Sequence, residues 1–269
     1  MYRQNHAAVV GLIVLGSVIA IAALGPWLYP VDPFVMLGQP ILEPFGEYIL
    51  GTDTLGRDIL AGLIHGARVS LMIGVVATIA ATIVGVMVGA VAGYFGGAVD
   101  NLLMRATEFF LTIPSFMLAI LLVAIFAPSI VTIVGAIAVV SWPAVARLTR
   151  AEFLSLRERE FVLALRAMGM HDRQIILRHV LPNALPPIVV VSSLMVATAI
   201  LTESGLSFLG LGDPNLMTWG NMIGIGRTVL RRAWWMTAIP GVTILITVLA
   251  INLVGEGLND ALNPRLKVR

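Results

Sequence analysis

Side chains that ordinarily carry chemistry are sparse in this chain, and their spacing excludes most of what they would do. Cysteine is absent, which removes disulfides, thiolate metal sites and a cysteine nucleophile. The single lysine is Lys267. A phosphate-cradling loop needs Gly-x-x-x-x-Gly-Lys-Ser/Thr, and no such stretch occurs, so ATP, if it powers this protein, is bound by another chain. His171 and His179 stand eight residues apart, which is not a usual metal-ligand spacing. They read as polar cap or docking residues, and neither a metal site nor a catalytic residue is expected. Two acids fall within apolar runs, where charge is costly and therefore a functional candidate. Glu108 lies near the start of its run and reads as an interfacial carboxylate. Glu203, in "ILTESGLSFLGLG", either faces a translocation path as a pathway or gate residue or hydrogen-bonds within a helix bundle.

The elements that would position these groups are set by composition. The 269 residues are 58% hydrophobic and 12% charged, with a mean hydropathy of +0.96; soluble domains carry about 25% charged residues. The fold class is therefore an all-α polytopic membrane protein. Six stretches have the roughly 20 apolar residues that a bilayer-crossing helix needs: 7–28, 69–94, 102–126, 129–146, 184–209 and 236–254. Ala20-Ile21-Ala22 in the first resembles a signal-peptide cleavage site, but the apolar run continues into "ALGPWLYP", which suits an uncleaved anchor.

Net charge is +2 and the pI about 9.4, which could suggest an acidic partner, but the placement of the basic residues says more. With the N-terminus inside, the inner segments hold Arg3, Arg105, Arg147, Arg150, Arg157, Arg159, Arg166, Arg173, Arg178, Arg265, Lys267 and Arg269. The outer segments hold Arg57, Arg68, Arg227, Arg231 and Arg232. Twelve against five puts both termini in the cytoplasm by the positive-inside rule. The outer loop also carries Asp32, Glu43, Glu47, Asp53 and Asp58, and Trp234 and Trp235 fall at the outer mouth of the last span.

Within the second span, Ala77, Ala81, Gly85, Gly89, Gly93 and Gly97 recur at every fourth position. Small residues in such a row let another helix approach closely; the row is either plain helix packing or a sliding surface used in a shape change. Pro114 and Pro143 remove backbone donors and are expected to kink their helices. No internal repeat is evident. A secondary carrier would show more buried acids or broken-helix repeats. A membrane-embedded enzyme or scaffold would show clustered intramembrane His, Asp or Glu.

A polar insert, 147–183, separates the fourth and fifth spans. Phe161, Ala164, Leu165 and Met168 stand at i, i+3, i+4 and i+7, one apolar stripe on a short helix. Gly169 suits the position past its end, Asp172 suits an N-cap opening a second helix, and Pro182 and Pro186 punctuate the return to the membrane. A basic loop obeying the positive-inside rule, a helix lying on lipid headgroups and a docking element for a cytoplasmic partner all fit; the built ends favour docking.

"EFVLALRAMGMHDRQIILRHVLPNALPP" resembles the signature loop of the membrane subunits of bacterial ABC importers. "GTDTLGRDILAGLIHGARVSL", "YFGGAVDNLLMRATEFFLTIPSFMLAI", "RAEFLSLRERE", "ESGLSFLGLG", "WGNMI" and "NLVGEGLNDALNPRLK" are similar to the C-type permeases of the dipeptide, oligopeptide and nickel group, over nearly all of the chain after about residue 50. The resemblance implies a type I importer for di- or oligopeptides, with nickel or a metal chelate as the alternative cargo. It implies a second homologous, B-type permease, one or two ABC ATPase subunits carrying the ATP and magnesium, and an extracytoplasmic substrate-binding protein. No nucleic-acid partner and no cofactor in this chain are implied. It implies a bacterial inner-membrane location, with residues 1–68 as an anchor helix and outer loop and 69–269 as a five-helix permease core. The loop 160–182 would couple to the ATPase through Glu160, Phe161, Ala164, Leu165, Met168, Gly169, Asp172, Arg173 and Pro182. The sequence departs from the family pattern at "LAL" (Leu163 to Leu165), at His179 and at Glu256.

Overall fold

The computed structural model describes residues 6–262, and among these the regular structure is helical throughout. The helices are α1 (His6–Leu28), α2 (Ile59–Phe95), α3 (Gly97–Thr112), α4 (Ser115–Phe126), α5 (Ile130–Arg157), α6 (Glu160–Ala167), α7 (Asp172–Ile175), α8 (Leu181–Phe208), α9 (Trp219–Gly226) and α10 (Trp235–Leu262). Five runs are long and apolar enough to cross a membrane: α1, α2, α5, the unbroken stretch from α7 through α8, and α10. The bent pair α3 and α4 makes up to a sixth. Arg3, Arg265, Lys267 and Arg269 lie outside the described residues.

The small-residue row decides how the bundle is built. A Cβ added at Gly85 would meet Val145 and the Trp142 carbonyl, one at Gly89 the Ala146 carbonyl and Thr149, and one at Gly93 the Arg150 carbonyl and Phe153. Ala77 and Ala81 are fully buried. Partners advance along α5 as the row advances along α2, so the two helices run parallel. Parallel neighbours require a return crossing between them, and only α3 and α4 lie there. The pair therefore carries the chain back across the bundle, bent by 85° at Thr112–Ser115. The expected third span is real but broken, and Pro114 sits at the break as N-cap of α4. Pro143 does not interrupt α5, in which it is buried. The row ends at Gly93: the backbone turns at Gly96 (φ +68), and Gly97 (φ +56) opens α3 with no atom near its absent side chain.

Other helices pack on this pair antiparallel or across it. A Cβ at Gly74 of α2 would meet Ile200 and Val196 of α8, while Thr82 and Ser192 share a hydrogen bond of 2.9 Å. Gly11 at the start of α1 lies against Ala250 to Val254 near the end of α10, and Gly25 near its other end against Ile64 of α2. The arginines of the 147–183 insert thus gather at the end of the bundle where α2 and α5 finish, and Arg57, Arg68, Arg227, Arg231 and Arg232 at the opposite end.

That opposite end is more ordered than a solvated acidic loop. α2 begins ten residues before the expected span, so the 68/69 boundary falls inside it. Asp58 caps α2, accepting from the Leu60 amide at 2.8 Å, and Asp53 accepts from the amides of Leu55 and Arg57 at 2.8 and 2.9 Å. Both acids are buried. Tyr29, just past α1, donates to Asp58 at 2.5 Å. That hydrogen bond, aided by burial, pushes the phenol up to about 12. Its contribution is present below the ordinary tyrosine range and is lost as pH rises through that value. Trp234 is 63% exposed and suits an interface, but Trp235 turns into the core.

Candidate functional site

The polar insert folds into α6, a tight turn, and a helix that runs without a stop into the membrane. After Arg157 ends α5, α6 spans eight residues with an acid in its first turn and Arg166 in its last, charges that suit the helix dipole. Its end is closed by two hydrogen bonds: Gly169 N–H to Arg166 C=O at 2.9 Å and Met170 N–H to Leu165 C=O at 3.1 Å. This is the Schellman pattern, with glycine in the left-handed conformation, here φ +78.

Side chains divide α6 into two apolar faces. Val162 is fully buried and Leu165 partly buried, in a cluster with Phe153 of α5, Tyr94 of α2 and Ile175 of α7. The other face exposes Phe161, Leu163, Ala164, Ala167 and Met168. At 100° per residue these five lie within one arc of about 160°, which Glu160 of the first turn shares. The stripe read from the sequence is therefore split: Leu165 points inward, and Leu163 and Ala167 join the outward set. α6 thus carries apolar side chains on two faces and is covered on one.

Asp172 is the first residue of α7 rather than its N-cap, a position held by His171 without a side-chain cap bond. Its carboxylate instead accepts from the Tyr94 hydroxyl at 2.6 Å. A five-residue π-helical stretch, Ile176–Val180, joins α7 to α8; there the Leu181 amide reaches back five residues to Ile176. Pro182 lies in the first turn of α8, and Pro186 and Pro187 lie within that helix. A proline cannot donate and crowds the carbonyl four residues earlier; for Pro182 that carbonyl is Arg178's, inside the π-helical stretch, whose wider turn accommodates it. The expected stops at Pro182 and Pro186 do not occur: Asp172–Phe208 is one helix of 37 residues. Arg173 and Pro182 are exposed.

Beside the Tyr94–Asp172 hydrogen bond, three further links bind this loop to the ends of α2 and α3. Arg150 donates to both carboxylate oxygens of Asp100, at 2.5 and 2.6 Å, the bidentate geometry that makes Arg–carboxylate pairs strong. Arg157 donates to the Gly93 carbonyl at 3.2 Å. Arg166 places its guanidinium 4.8 Å from the Tyr94 ring centre. The only sequence signal was an aromatic and an acid flanking a "GG" turn. Glu108 is exposed, in a polar cleft with Arg105 and Arg147.

Glu203 lies at the other end of α8 and is 1% exposed. Its Oε1 accepts from Ser207 and Thr218, each at 2.7 Å. Thr218 in turn caps α9 by accepting from the Asn221 amide at 3.0 Å. Gly220 lets α9 sit against Ser204 and Ser207. Glu203 hydrogen-bonds within the bundle and pins α9 to α8. Among the described residues no group of three or more His, Cys, Asp or Glu is placed to hold a metal.

Residues 85–268 match the family described as binding-protein-dependent transport system inner membrane component. Residues 1–44 match the N-terminal TM domain of oligopeptide transport permease C. The chain is 40% identical over 274 aligned positions to the di/tripeptide transport system permease protein DppC of Pseudomonas aeruginosa (strain UCBPP-PA14), covering 99% of this chain and 90% of that one. It is 42% identical to the dipeptide transport system permease protein DppC of Escherichia coli (strain K12), covering 99% and 91%. Among solved structures, a chain of the MetNI methionine ABC transporter in inward-facing conformations aligns with a TM-score of 0.62 at 21% identity. The alignment covers 76% of this chain and 98% of that one, and shows a shared fold.

Proposed function

The chain belongs to the family of binding-protein-dependent transport system inner membrane components, and on that footing we propose that it is a permease subunit of an ATP-driven importer of di- and oligopeptides. It forms half of the pathway beside a second homologous permease. α6 and α7 lie in the cytoplasm with both termini, and a binding protein delivers peptide to the opposite face. ATP and magnesium sit on separate ATPase subunits, one of which docks on the outward arc of α6.

The observation that carries this reading is the uncovered apolar arc on a helix whose inner face and end are fixed. The arc has the form of a helix for a partner's hydrophobic groove. Arg159, Arg173 and Arg178 around it are exposed and are available to carboxylates. Rigid continuity from α7 into α8 then turns closure of the ATPases into movement of a membrane helix. Transport follows as a switch between outward- and inward-open packings, biased by that closure.

The test is reconstitution in vesicles with the second permease, the ATPases and the binding protein. Labelled dipeptide accumulates only when ATP is supplied, and excess unlabelled nickel does not compete. Uptake without ATP would defeat the reading, and ATP-driven accumulation of nickel in preference to peptide would replace the cargo.

A further inference from the structure

We infer that Tyr94 is the positioning residue through which movement of the α6–α7 loop reaches α2. This rests on the reading of α6 as the ATPase-docking element and adds to it a second path into the membrane besides α8.

Tyr94 is the last residue but one of α2 and is 3% exposed. Three segments of the loop region converge on this last turn. Asp172, which begins the long helix into the membrane, accepts from its hydroxyl at 2.6 Å. Arg166, in the last turn of α6, lies over its ring at 4.8 Å, with Nε 3.4 Å from the hydroxyl oxygen. Arg157, ending α5, holds the carbonyl of the preceding residue, Gly93. A buried hydroxyl needs a partner, and here the partner is a carboxylate, which makes the bond stronger than a neutral one.

Through this contact the end of α2 is tied to both sides of the Gly169 turn, to α6 by Arg166 and to α7 by Asp172. α2 also carries the small-residue row that fits against α5. A displacement of α6 that did not reach Tyr94 would leave that row still; one that does moves α2 and α8 together. Phenylalanine at this position keeps the ring, and with it the stack under Arg166 and the edge contact of 5.3 Å with Phe95. It removes the hydroxyl, and with it the short bond to Asp172 and the longer one from Arg166 Nε.

The experiment uses the complete reconstituted complex and measures dipeptide taken up per ATP hydrolysed. In Tyr94→Phe this ratio falls about tenfold, the scale of one lost hydrogen bond to a charged group, while ATP hydrolysis and recovery of the assembled complex stay at wild-type levels. Asp172→Ala lowers the ratio alike, and the double variant is no worse than either single one, as for two ends of one interaction. A merely structural role lowers recovery or thermal stability and leaves the ratio intact. An unchanged ratio in Tyr94→Phe, or losses that multiply in the double variant, overturns the inference while ATP-driven uptake by the wild type stands. Absence of that wild-type uptake instead overturns the proposed function.

Discussion

Phe161→Asp abolishes ATP-driven uptake while the chain still inserts in wild-type amounts. Phe161 is 41% exposed at one edge of the outward arc of α6, and the residues that anchor the helix, Val162 and Leu165, face the other way. Aspartate at this exposed site costs the isolated chain little. In a complex it places an unpaired carboxylate in an apolar interface, a penalty of several kcal/mol. Each 1.4 kcal/mol is tenfold in affinity, so ATPase association drops by about a hundredfold or more, and uptake with it. Co-purification of the ATPase with the variant checks the first effect and vesicle uptake the second. Gly169 behaves differently. Nothing lies within 4 Å of a side chain added there, so substitution costs only the left-handed backbone, about 1–2 kcal/mol.

The second large effect belongs to the membrane interior. Gly89→Leu prevents α2 and α5 from packing. A Cβ at Gly89 would stand 2.3 Å from the Ala146 carbonyl oxygen and 2.9 Å from the Arg150 amide nitrogen. Both are backbone atoms, which cannot rotate away, so the helices must separate along the row. Overpacking costs about 1–3 kcal/mol where side chains can yield; here the α2–α5 interface, the most extensive between helices among the described residues, opens. The Arg150–Asp100 pair and the Arg157–Gly93 bond at the end of the row then lose their register. The variant is recovered as aggregate or not at all by size-exclusion chromatography in detergent. Gly135→Ala is the control: nothing lies within 4 Å of a Cβ there, alanine is the better helix former by about 1 kcal/mol, and thermal stability is unchanged or higher.

These two residues also show what a one-dimensional reading reaches. Gly89 was legible because a four-residue period of small residues has a single geometric meaning, a close helix neighbour; which helix was not. Gly169 was legible because few residues other than glycine end a helix in the left-handed region. The apolar runs are legible because apolar length is a local property; the 85° bend that breaks the third is not. The start of α2 was hidden because Asp58, His65 and Arg68 interrupt its apolar pattern, and Asp58 bonds to Tyr29, 29 residues earlier in the chain. The prolines after α7 are stops by a local rule, whereas the π-helical stretch takes up Pro182 and the helix continues through Pro186 and Pro187. Leu165 was assigned to the wrong face because α6 is apolar on both sides, so periodicity alone leaves its inner face undetermined. Tyr94 offers only an aromatic beside a "GG" turn, and its partner is out of reach of any local rule: Asp172 lies 78 residues further along the chain.

The claim at the centre of the account is that the outward arc of α6 is covered by an ATPase subunit. The chain has no cysteine, so Met168→Cys, at the most exposed large apolar side chain of the arc (72% exposed), is its only thiol. Labelled with a benzophenone maleimide and irradiated in membranes containing the whole complex, it gives an adduct of this chain with the ATPase subunit, sensitive to Phe161→Asp. An adduct with lipid alone, in membranes where uptake remains ATP-driven, would contradict the claim.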